Sequence, residues 1–433
     1  MEWDERAELA HDTLCDEWFS KFRAQRGPTT ANWVSSFRSG HPSEIIEDHC
    51  GSFNWSCRVR FKDSVEWLVR FAVPGRVMDG DEKLRREVAV MCLVREKTKI
   101  PVPKVHAWGL SNDNALGLGP FVMMDYIPGG ESLGRLWREG PNDRILRSDI
   151  SERDLRTVYR QIAGFYLELS KLEFPNVGSL SIRDGQSIHS DLGPLTLKMQ
   201  EIEAHGGVKV GGILREQPSL VDDVNDARAK YKFRHQANAI IPRFIAEEYN
   251  WTGFRLMCDD FRYGNMIVNN ERELEIIAVI DWEWAYAAPY QMFCSAPRWL
   301  LIKNPVFWAT PYGSEFHRYN ECLELFLDEL AREESERNKV KPQPELQDRL
   351  SDLMRKSMSD GRFWFHELIY DCFTGADNSA WKAICDMYPD IDEVASIPEP
   401  ELDKFAGRKM KQLAAYKAEW SAIKARIDRE QAG

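Results

Sequence analysis

The sequence predicts an α+β protein with two lobes, a small unit of sheet and helix followed by a larger, mostly helical unit. Its 433 residues exceed what one hydrophobic core usually holds, so two lobes are expected. Between residues 51 and 127, two β-rich runs, a helical segment and two more β-rich runs follow one another. From residue 312 onward the pattern is helical to the end. These patterns predict an N-terminal helical extension at 1–50, an N-lobe at 51–127 and a C-lobe at 128–433.

Composition and charge narrow the class of protein. Hydrophobic residues make up 43% and charged residues 29% of the chain, as in ordinary globular proteins. The net charge of −12 argues against a general nucleic-acid binder, which would carry a basic surface. No apolar run approaches the ~18 residues of a membrane span, and the acidic N-terminus lacks the apolar segment of a secretory signal. The nine cysteines are scattered without a C-x-x-C pair, so we expect no disulfide framework, no zinc site and a cytoplasmic location.

The N-lobe elements follow from local patterns. The first fifty residues read as short helices and loops that precede the first sheet. Four β-rich runs predict strands at 57–62, 65–72, 104–109 and 120–127. Asp63 and Ser64 form the turn between the first two strands, so these strands make a hairpin. Segment 81–98 reads as a helix with one apolar face, and the prolines at 101 and 103 end it.

The C-lobe begins after the Pro-Gly-Gly sequence at 128–130, which reads as the junction between the lobes. Residues 151–172 predict a strong helix, because Ser151 and Asp154 form a capping pattern ahead of an apolar stripe. Further elements are a helix at 235–250 and short strands at 254–257, 266–268 and 276–280. The charged, proline-containing stretch 332–344 reads as a solvated linker, and 175–230 gives no clear element.

Three oxygen-bearing side chains stand in a specific order around two of these short strands. Asp260 is followed five positions later by Asn265, and Asp281 lies at the end of a following strand. Mg²⁺ prefers hard oxygen ligands and often takes only one or two of them from protein, which Asn265 and Asp281 can supply. Asp260 then remains free to accept a hydroxyl proton. Phosphoryl transfer needs mostly positioning and charge neutralisation, so this short set is sufficient.

The two sequences that carry this set are CDDFRYGN at 258–265 and IDWE at 280–283. They resemble the catalytic loop and the metal-binding segment of the protein-kinase-like superfamily, and more closely its aminoglycoside phosphotransferase/choline kinase branch. A fungal group known as the phosphotransferase enzyme family is the nearest resemblance. The resemblance runs from about residue 53 to the C-terminal helices and implies a bilobal protein-kinase-like fold.

The resemblance implies a role for each matching residue. Asp260 would be the catalytic base, with Asn265 and Asp281 as magnesium ligands. Arg262 lies where protein kinases place a lysine that contacts the γ-phosphate. Arg70, near the end of the second strand, stands in the position of the nucleotide-binding lysine.

The resemblance also places the rest of the nucleotide site. Glu87 is similar to the glutamate that pairs with the nucleotide-binding lysine. The loop over the phosphates would be formed by Gly51, Ser52, Phe53 and Asn54. The hinge beside the adenine would span 123–127 and include Met124 and Tyr126.

Three positions depart from the family pattern. The expected histidine two residues before the base is Cys258, the expected glycine is Asp259, and the strand lysine is Arg70. Arginine is a planar fork, whereas lysine is a compact point charge, so the two are not interchangeable. Arginine still binds phosphates in a bidentate manner, so nucleotide binding should survive this change more readily than turnover.

The predicted function is ATP- and Mg²⁺-dependent O-phosphotransfer to a small hydroxylated molecule, with the helical C-terminal half as the acceptor-binding subdomain. Acidic residues there would suit an amine-bearing acceptor. Neither a nucleic-acid partner nor a membrane is expected, and the sequence sets no oligomeric state. One alternative is a pseudokinase-like regulatory module that binds nucleotide or metabolite without turnover. Another is recruitment of the fold for a different reaction, because fold does not fix chemistry.

Overall fold

A computed structural model describes residues 4–183, 186–190, 193–206, 221–249, 252–340 and 348–431. Its first part is an antiparallel sheet with the strand order β1-β2-β3-β5-β4. The strands are β1 Ser43–Cys50, β2 Asn54–Phe61, β3 Glu66–Ala72, β4 Val105–Gly109 and β5 Phe121–Asp125. The helices of this part are α1 Glu5–Gln25, α2 Pro28–Ser36 and α3 Gly80–Lys97. The predicted order of strand, strand, helix, strand and strand is therefore confirmed for β2 to β5.

Alternation along β2 and β3 gives this sheet two different faces. Val59 and Val69 are fully buried on the face that packs against α1 and α2. Ser56 and Arg70 are direct cross-strand partners on the opposite face, which turns toward α3 and the C-lobe. Because side chains alternate along a strand, the apolar runs of these strands leave Arg70 on the side of the interlobe cleft.

The first fifty residues depart from the prediction in one respect. Ser43–Cys50 is a full strand paired with β2, so the sheet begins before residue 51. The helices ahead of it are packed on the sheet, since the rings of Phe22 in α1 and Trp33 in α2 lie 6.4 Å and 6.0 Å from that of Phe71 in β3. Strand β1 lies at the edge of the sheet, where charged and partly exposed side chains are common. Its sequence therefore lacks the alternation of apolar and polar residues by which a strand is predicted.

The C-lobe is mostly helical, as predicted. Its helices before the site are α4 Leu133–Trp137, α5 Glu152–Leu169, α6 Leu197–Gly206 and α7 Val224–Phe244. Those after it are α8 Tyr290–Phe293, α9 Ser314–Val340, α10 Leu350–Ser359, α11 Arg362–Tyr370, α12 Ser379–Met387, α13 Ile391–Val394 and α14 Glu399–Gln431. Ser151 caps α5 by accepting a hydrogen bond from the Asp154 backbone at 3.1 Å, which confirms the predicted cap. The predicted α+β architecture, a small part of sheet and helix followed by a larger, mostly helical part, is thus confirmed.

Short strands in the C-lobe hold the loops that matter for function. These strands are β6 Glu131–Ser132, β7 Glu173–Phe174, β8 Ser179–Arg183, β9 Gln186–Ser190, β10 Phe254–Cys258, β11 Met266–Val268, β12 Ile276–Val279 and β13 Ala285–Pro289. Strand β10 lies between β13 and β7, and β11 lies between β12 and β6. These strands belong to two separate sheets, and a hydrogen bond from the Ile280 amide to the Asn265 carbonyl joins the loop after β10 to the end of β12.

Two boundaries in the C-lobe differ from the predictions. The helix expected at 235–250 is Val224–Phe244, whose N-terminus is capped by Asp223 in the segment left unassigned. The stretch 332–344 is not a linker over its described part, because α9 continues to residue 340, and 341–344 lie outside the described residues. Packing of α9 on α5 explains the continuation, since tertiary contacts override a charged local sequence. Among the described residues, no helix has the length and apolarity needed to cross a bilayer.

Candidate active site

The loop after β10 carries most of the predicted site. Cys258 pairs with Ala285 of β13, and the chain then turns through Asp259 and Asp260 into a 3₁₀ turn at Tyr263–Asn265. Tyr263 is 1% exposed, packs edge-on against Trp137 and lies 3.2 Å from the Tyr159 hydroxyl. A buried aromatic thus anchors the middle of the loop, which fixes the polar side chains on either side of it.

Asp260 and Asn265 are joined directly. The Asn265 amide nitrogen donates to the Asp260 carboxylate and to the Asp260 carbonyl, both at 2.8 Å. Arg262 lies on the other side and donates to Asp260 through its Nε at 2.5 Å. The Arg262 side chain is half exposed, whereas that of Asp260 is 16% exposed. One carboxylate is therefore held between an amide and a guanidinium while part of its surface stays open to the cleft.

Asp281 reaches the same cleft from the end of β12. The Ile280 amide donates to the Asn265 carbonyl at 2.9 Å, which ties the two loops together. Asp281 has a φ of +57°, a left-handed conformation that costs non-glycine residues about 1 kcal/mol or more. Burial raises the pKa of the Asp281 carboxyl, and Arg70 opposes that rise. The nearby charge of Asp260 adds to it, so the two carboxylates share one electrostatic environment.

Arg70 connects the N-lobe to this pair of loops. Its guanidinium donates to Asp281 at 2.6 Å and forms an ion pair with Glu87 of α3. Glu87 is 1% exposed, and its second carboxylate oxygen has no hydrogen-bond partner among the described residues. Burial lowers the pKa of Arg70, but the charges of Glu87 and Asp281 outweigh burial and raise it overall. The structure therefore brings Arg70, Glu87 and Asp281 together, while the roles assigned to them stay predictions.

Lys83 is a charged residue of this cluster that the sequence analysis did not single out. It is 2% exposed, forms an ion pair with Glu283, and donates to the Asn54 side chain at 3.1 Å. Asn54 in turn donates to Glu283 at 3.0 Å. The spacing along α3 could have indicated it. Lys83 lies one helical turn before Glu87, so the two side chains lie on the same side of the helix.

The predicted phosphate loop connects β1 to β2 at the edge of the cleft. Gly51 and Ser52 are exposed, and the Gly51 amide donates to the Asn54 carbonyl at 2.9 Å. The Phe53 ring packs edge-on against Trp284, which follows the Asp281 segment, with ring centroids 5.3 Å apart. The loop therefore rests on the segment that carries Asp281, and its role toward a nucleotide stays a prediction.

The predicted hinge lies at the end of β5. Met124 is 4% exposed and pairs with Leu68 of β3 in the core shared with the C-lobe. The Tyr126 ring is covered by the Arg58 guanidinium, which lies 4.2 Å from the ring centroid. Met124 thus lies on the cleft side of the sheet, whereas the face of Tyr126 is engaged by a cation.

A second polar cluster lies beside Asp260, and its residues outside the 258–265 sequence were not predicted. The Asp259 carboxylate accepts hydrogen bonds from the Tyr286 hydroxyl at 3.1 Å and from the Leu197 amide, the first residue of α6, at 3.2 Å. Burial, opposed by Arg298, raises the pKa of Asp259 to about 6. Arg298 pairs with Glu367 at 3.1 Å, and its guanidinium lies over a tyrosine ring. The two adjacent aspartates therefore point to different partners, with Asp259 directed toward the C-lobe helices.

The donor chemistry at the cleft fits a magnesium ion. Asn265 uses its amide nitrogen on Asp260, so its side-chain oxygen is turned away from that carboxylate. Asp281 uses one oxygen on Arg70, and 31% of its side chain is exposed. Two hard oxygen donors from neighbouring loops match what Mg²⁺ takes from protein when phosphates supply the remainder. The described residues contain no group of three or more His, Cys, Asp and Glu side chains placed for a metal.

Comparison with known proteins adds a family to this geometry. The model of the phosphotransferase enzyme family matches residues 54–291, which is more than half of the chain. The matched range contains Arg70, Lys83 and Glu87 as well as the loops that carry Asp260 and Asp281. Residues described above that lie outside it are Gly51, Ser52, Phe53, Arg298 and Glu367. The chain belongs to the phosphotransferase enzyme family. This membership confirms the resemblance inferred from the sequences at 258–265 and 280–283.

Curated relatives match a smaller part of the chain. The mitochondrial protein "Altered inheritance of mitochondria protein 9" of Clavispora lusitaniae is 29% identical over 162 residues, 36% of this chain and 25% of that protein. Its counterpart in Debaryomyces hansenii is 28% identical over 162 residues, 37% of this chain and 25% of that protein. The chain thus spans about a quarter of the length of the curated relatives it matches. Because both relatives are named as mitochondrial, the predicted cytoplasmic location is wrong.

Solved structures resemble the chain at low identity. An amicoumacin kinase in complex with AMP-PNP, Ca²⁺ and amicoumacin is 11% identical, covers 83% of this chain and 92% of its own, and has a TM-score of 0.42.

Within the phosphotransferase enzyme family, this chain departs from the expected pattern at Cys258. The Cys258 thiol lies 3.8 Å from the Asp281 carbonyl. Burial, together with the charges of Asp260 and Asp259, raises the pKa of this thiol well above its usual range. Cys258 is therefore a neutral contact between the two loops.

Proposed function

We propose that this chain is an ATP- and Mg²⁺-dependent O-phosphotransferase that acts on a small hydroxylated molecule. The observation that carries the proposal is the convergence of Asp260, Asn265 and Asp281 from two loops that are hydrogen-bonded to each other. Family membership supports the reaction class. The substrate, the nucleotide and the role of each residue are parts of the proposal.

Each side chain has a defined task in this reaction. Asp260 accepts the proton of the acceptor hydroxyl while the oxygen forms a bond to the γ-phosphorus and the bond from that phosphorus to the ADP oxygen breaks. Arg262, held beside Asp260, neutralises charge that develops on the transferred group. Asn265 and Asp281 would hold Mg²⁺, which supplies neutralisation of the phosphate charge. Arg70 would bind the phosphates through its planar guanidinium.

We further propose that the acceptor carries an amine. Asp259 directly precedes Asp260 in the chain, and Arg298 pairs with the buried Glu367 at 3.1 Å and also acts on the charge of Asp259. The pKa values of Asp259 and Glu367 are raised to about 6 and about 7, mainly by burial, even though Arg298 opposes both rises. Two carboxyls face one arginine here, so a cationic group near them would favour their ionised forms and lower both pKa values.

A regulatory module that binds nucleotide without turnover is the second candidate. Its support is the Arg70–Asp281 ion pair, in which the residue that replaces the lysine occupies one of the two candidate metal ligands. Such a pair has to open before Asp281 binds a metal. The two candidates differ in whether Asp260 acts on a substrate.

The test combines binding with turnover. The melting temperature is measured with and without Mg-ATP, and ATP consumption is then measured with pooled hydroxylated amines and sugars. Asp260→Asn should abolish turnover and leave the Mg-ATP shift in place. Asp63→Asn is the matched control, because Asp63 is also paired with an arginine, Arg38 at 2.8 Å, but lies in a surface turn. Turnover in Asp260→Asn equal to that of the wild type would show that the base is assigned wrongly, and a shift without turnover across the panel would favour the regulatory module.

A further inference from the structure

Helix α3 is connected to the segment around Asp281 by two separate sets of charges. In the first, Glu87 of α3 pairs with Arg70, and Arg70 pairs with Asp281. In the second, Lys83 of α3 pairs directly with Glu283. Lys83 and Glu87 are one helical turn apart, and Asp281 and Glu283 are two residues apart, so the two connections run side by side.

The second connection is completely enclosed. Lys83 is 2% exposed and Glu283 is 4% exposed. Asn54 contributes both of its side-chain groups, since its oxygen accepts from Lys83 at 3.1 Å and its nitrogen donates to Glu283 at 3.0 Å. Three elements that come from different parts of the chain therefore meet at one ion pair.

The two connections respond differently when the proposed reaction begins. In the first, Arg70 has to release Asp281 so that the carboxylate can face a metal and the guanidinium can face phosphates. In the second, neither Lys83 nor Glu283 is among the proposed metal ligands, and their mutual charges are already satisfied. Once Arg70 has released Asp281, the first connection is broken. The Lys83–Glu283 ion pair then still connects α3 to the segment that carries Asp281.

We propose that Lys83 is a positioning residue for the metal site. Through Glu283 and Asn54 it fixes the position of the Asp281 segment relative to α3 and to the phosphate loop. This position is kept while Arg70 releases Asp281 and binds phosphate instead. The inference rests on the proposed function, because it assigns a task to Lys83 only if Asp281 binds a metal. Residues that orient metal ligands from behind commonly change metal affinity by about 10–100-fold when they are removed.

Direct contact between Lys83 and a phosphate is the competing role. The enclosure of its ammonium and its two protein partners count against this role, because a phosphate contact would leave Glu283 buried without its cation. An uncompensated buried charge of that kind strongly destabilises the folded state.

The experiment measures how strongly Mg²⁺ tightens nucleotide binding. Calorimetric dissociation constants for ATP are obtained with and without Mg²⁺, and their ratio defines the magnesium coupling. Lys83→Met is expected to lower this coupling at least about tenfold. Because Lys83→Met leaves Glu283 unpaired, the double variant Lys83→Met/Glu283→Leu is measured beside it, since replacing both members of a buried pair by apolar residues is often neutral for stability.

The double variant separates positioning from simple structural support. We expect its melting temperature to return to within a few degrees of the wild type while its magnesium coupling stays at least about tenfold reduced. Lys62→Met, which removes an exposed lysine from the end of the β2–β3 hairpin, should change neither quantity.

Each remaining outcome contradicts the proposal in a recognisable way. If the double variant has the melting temperature and the magnesium coupling of the wild type, the ion pair only stabilises the fold. Weaker binding of magnesium-free ATP in Lys83→Met, equal to the loss in Arg70→Met, would mean that Lys83 contacts the nucleotide. Absence of any magnesium-dependent binding in the wild type would overturn the proposed function itself, and the inference with it.

Discussion

The side-chain nitrogen of Asn265 donates to both the carboxylate and the carbonyl of Asp260, each at 2.8 Å. Two acceptors from one residue fix the rotation of the amide, so the Asn265 oxygen has a defined direction away from Asp260. One side chain thereby orients the proposed base with its nitrogen and offers the proposed metal site its oxygen. The two tasks rest on different atoms, so substitutions can separate them.

Asn265→Asp keeps an oxygen for the metal and removes the donor to Asp260. The new carboxylate would lie beside that of Asp260, where like charges repel and the base loses its orientation. We expect kcat to fall about 100-fold or more, because a positioned general base contributes about 10²–10⁴-fold. Magnesium-dependent ATP binding should remain within about threefold of the wild type. Steady-state kinetics and calorimetry measure the two effects separately.

Asn265→Ala is the comparison, since it removes both atoms. It should lose turnover and magnesium coupling together. If Asn265→Asp lost binding to the same extent as Asn265→Ala, the proposed division of labour between nitrogen and oxygen would be wrong.

Arg70→Met should be strongly destabilising in the absence of Mg²⁺. Arg70 is 7% exposed and pairs with two carboxylates, so its loss leaves Glu87, which is 1% exposed, without its cation. Breaking a buried pair of this kind costs about 3–5 kcal/mol. Arg70→Lys keeps a charge but not the fork that reaches both carboxylates, so its loss should be smaller. Urea unfolding with and without Mg²⁺ measures both, and Mg²⁺ should recover part of the loss.

Arg58→Met serves as the control for charge removal from the same face of the sheet. Arg58 pairs with Glu66, but its side chain is 21% exposed. A pair open to water contributes about 0–1 kcal/mol, so this variant should unfold close to the wild type. If Arg58→Met and Arg70→Met lowered the free energy of unfolding equally, the buried ion pairs of Arg70 would stabilise the protein no more than an exposed pair.

The sequence was sufficient for the parts of the site that lie close together along the chain. Asp260, Asn265 and Asp281 fall within a span of 22 residues counted from 260 to 281, and short strands on either side fix how they meet. The hairpin of β2 and β3 was equally readable, because apolar alternation and the turn at 63–64 agree. Local order and periodicity thus carried these predictions.

Long-range partners could not be predicted in the same way. Nothing local indicates that Lys83 meets Glu283, which lies 200 residues later, because most lysines on a helix face solvent. The same holds for Asp259 and Arg298, whose environment depends on where α6 and α11 pack. Strand β1 was not predicted for a related reason. Its residues are held in the sheet by backbone pairing with β2, and its side chains do not alternate between buried and exposed.

Gly134→Ala should reduce turnover by displacing the loop that carries the site. Gly134 lies in α4 directly behind Gly264, and a Cβ at this position would come within 2.7 Å of the Gly264 backbone nitrogen. Backbone cannot yield at that distance, so the 3₁₀ turn at Tyr263–Asn265 has to shift. A misplacement of about 1 Å can cost about 100-fold in rate, and we expect a fall of about 10–100-fold in kcat.

Gly407→Ala is a matched control, because it is the same change in a helix with open space around the new methyl group. It should stabilise the protein by about 0.5–1 kcal/mol and leave turnover unchanged. Thermal unfolding and kinetics of both variants test the pair. Unchanged turnover in Gly134→Ala would mean that the loop tolerates the shift and that its backing by α4 does not set the geometry of Asp260.

Glu367 should make the protein less stable as pH rises toward neutrality. It is 1% exposed, and burial raises its pKa from 4.5 to about 7, with Arg298 opposing and the charges of Asp371 and Asp259 adding to the rise. The folded state therefore holds a proton between these values that the unfolded chain has released. The stabilisation by this proton is complete below pH 4.5 and is lost as pH rises through 7. The loss is at most about 3 kcal/mol.

Glu367→Gln removes this titration, so its melting temperature should gain on the wild type by roughly 2–4 °C between pH 5.5 and 7.5. Glu315→Gln is the control of opposite sign. Burial raises the pKa of Glu315, but hydrogen bonds from Lys303 and the Ala309 amide outweigh burial and lower it overall. Its titration lies below this pH range, so its melting curve should run parallel to the wild type from pH 5.5 to 7.5. Parallel curves for Glu367→Gln as well would mean that Arg298 keeps Glu367 ionised throughout this pH range and that burial does not raise its pKa into it.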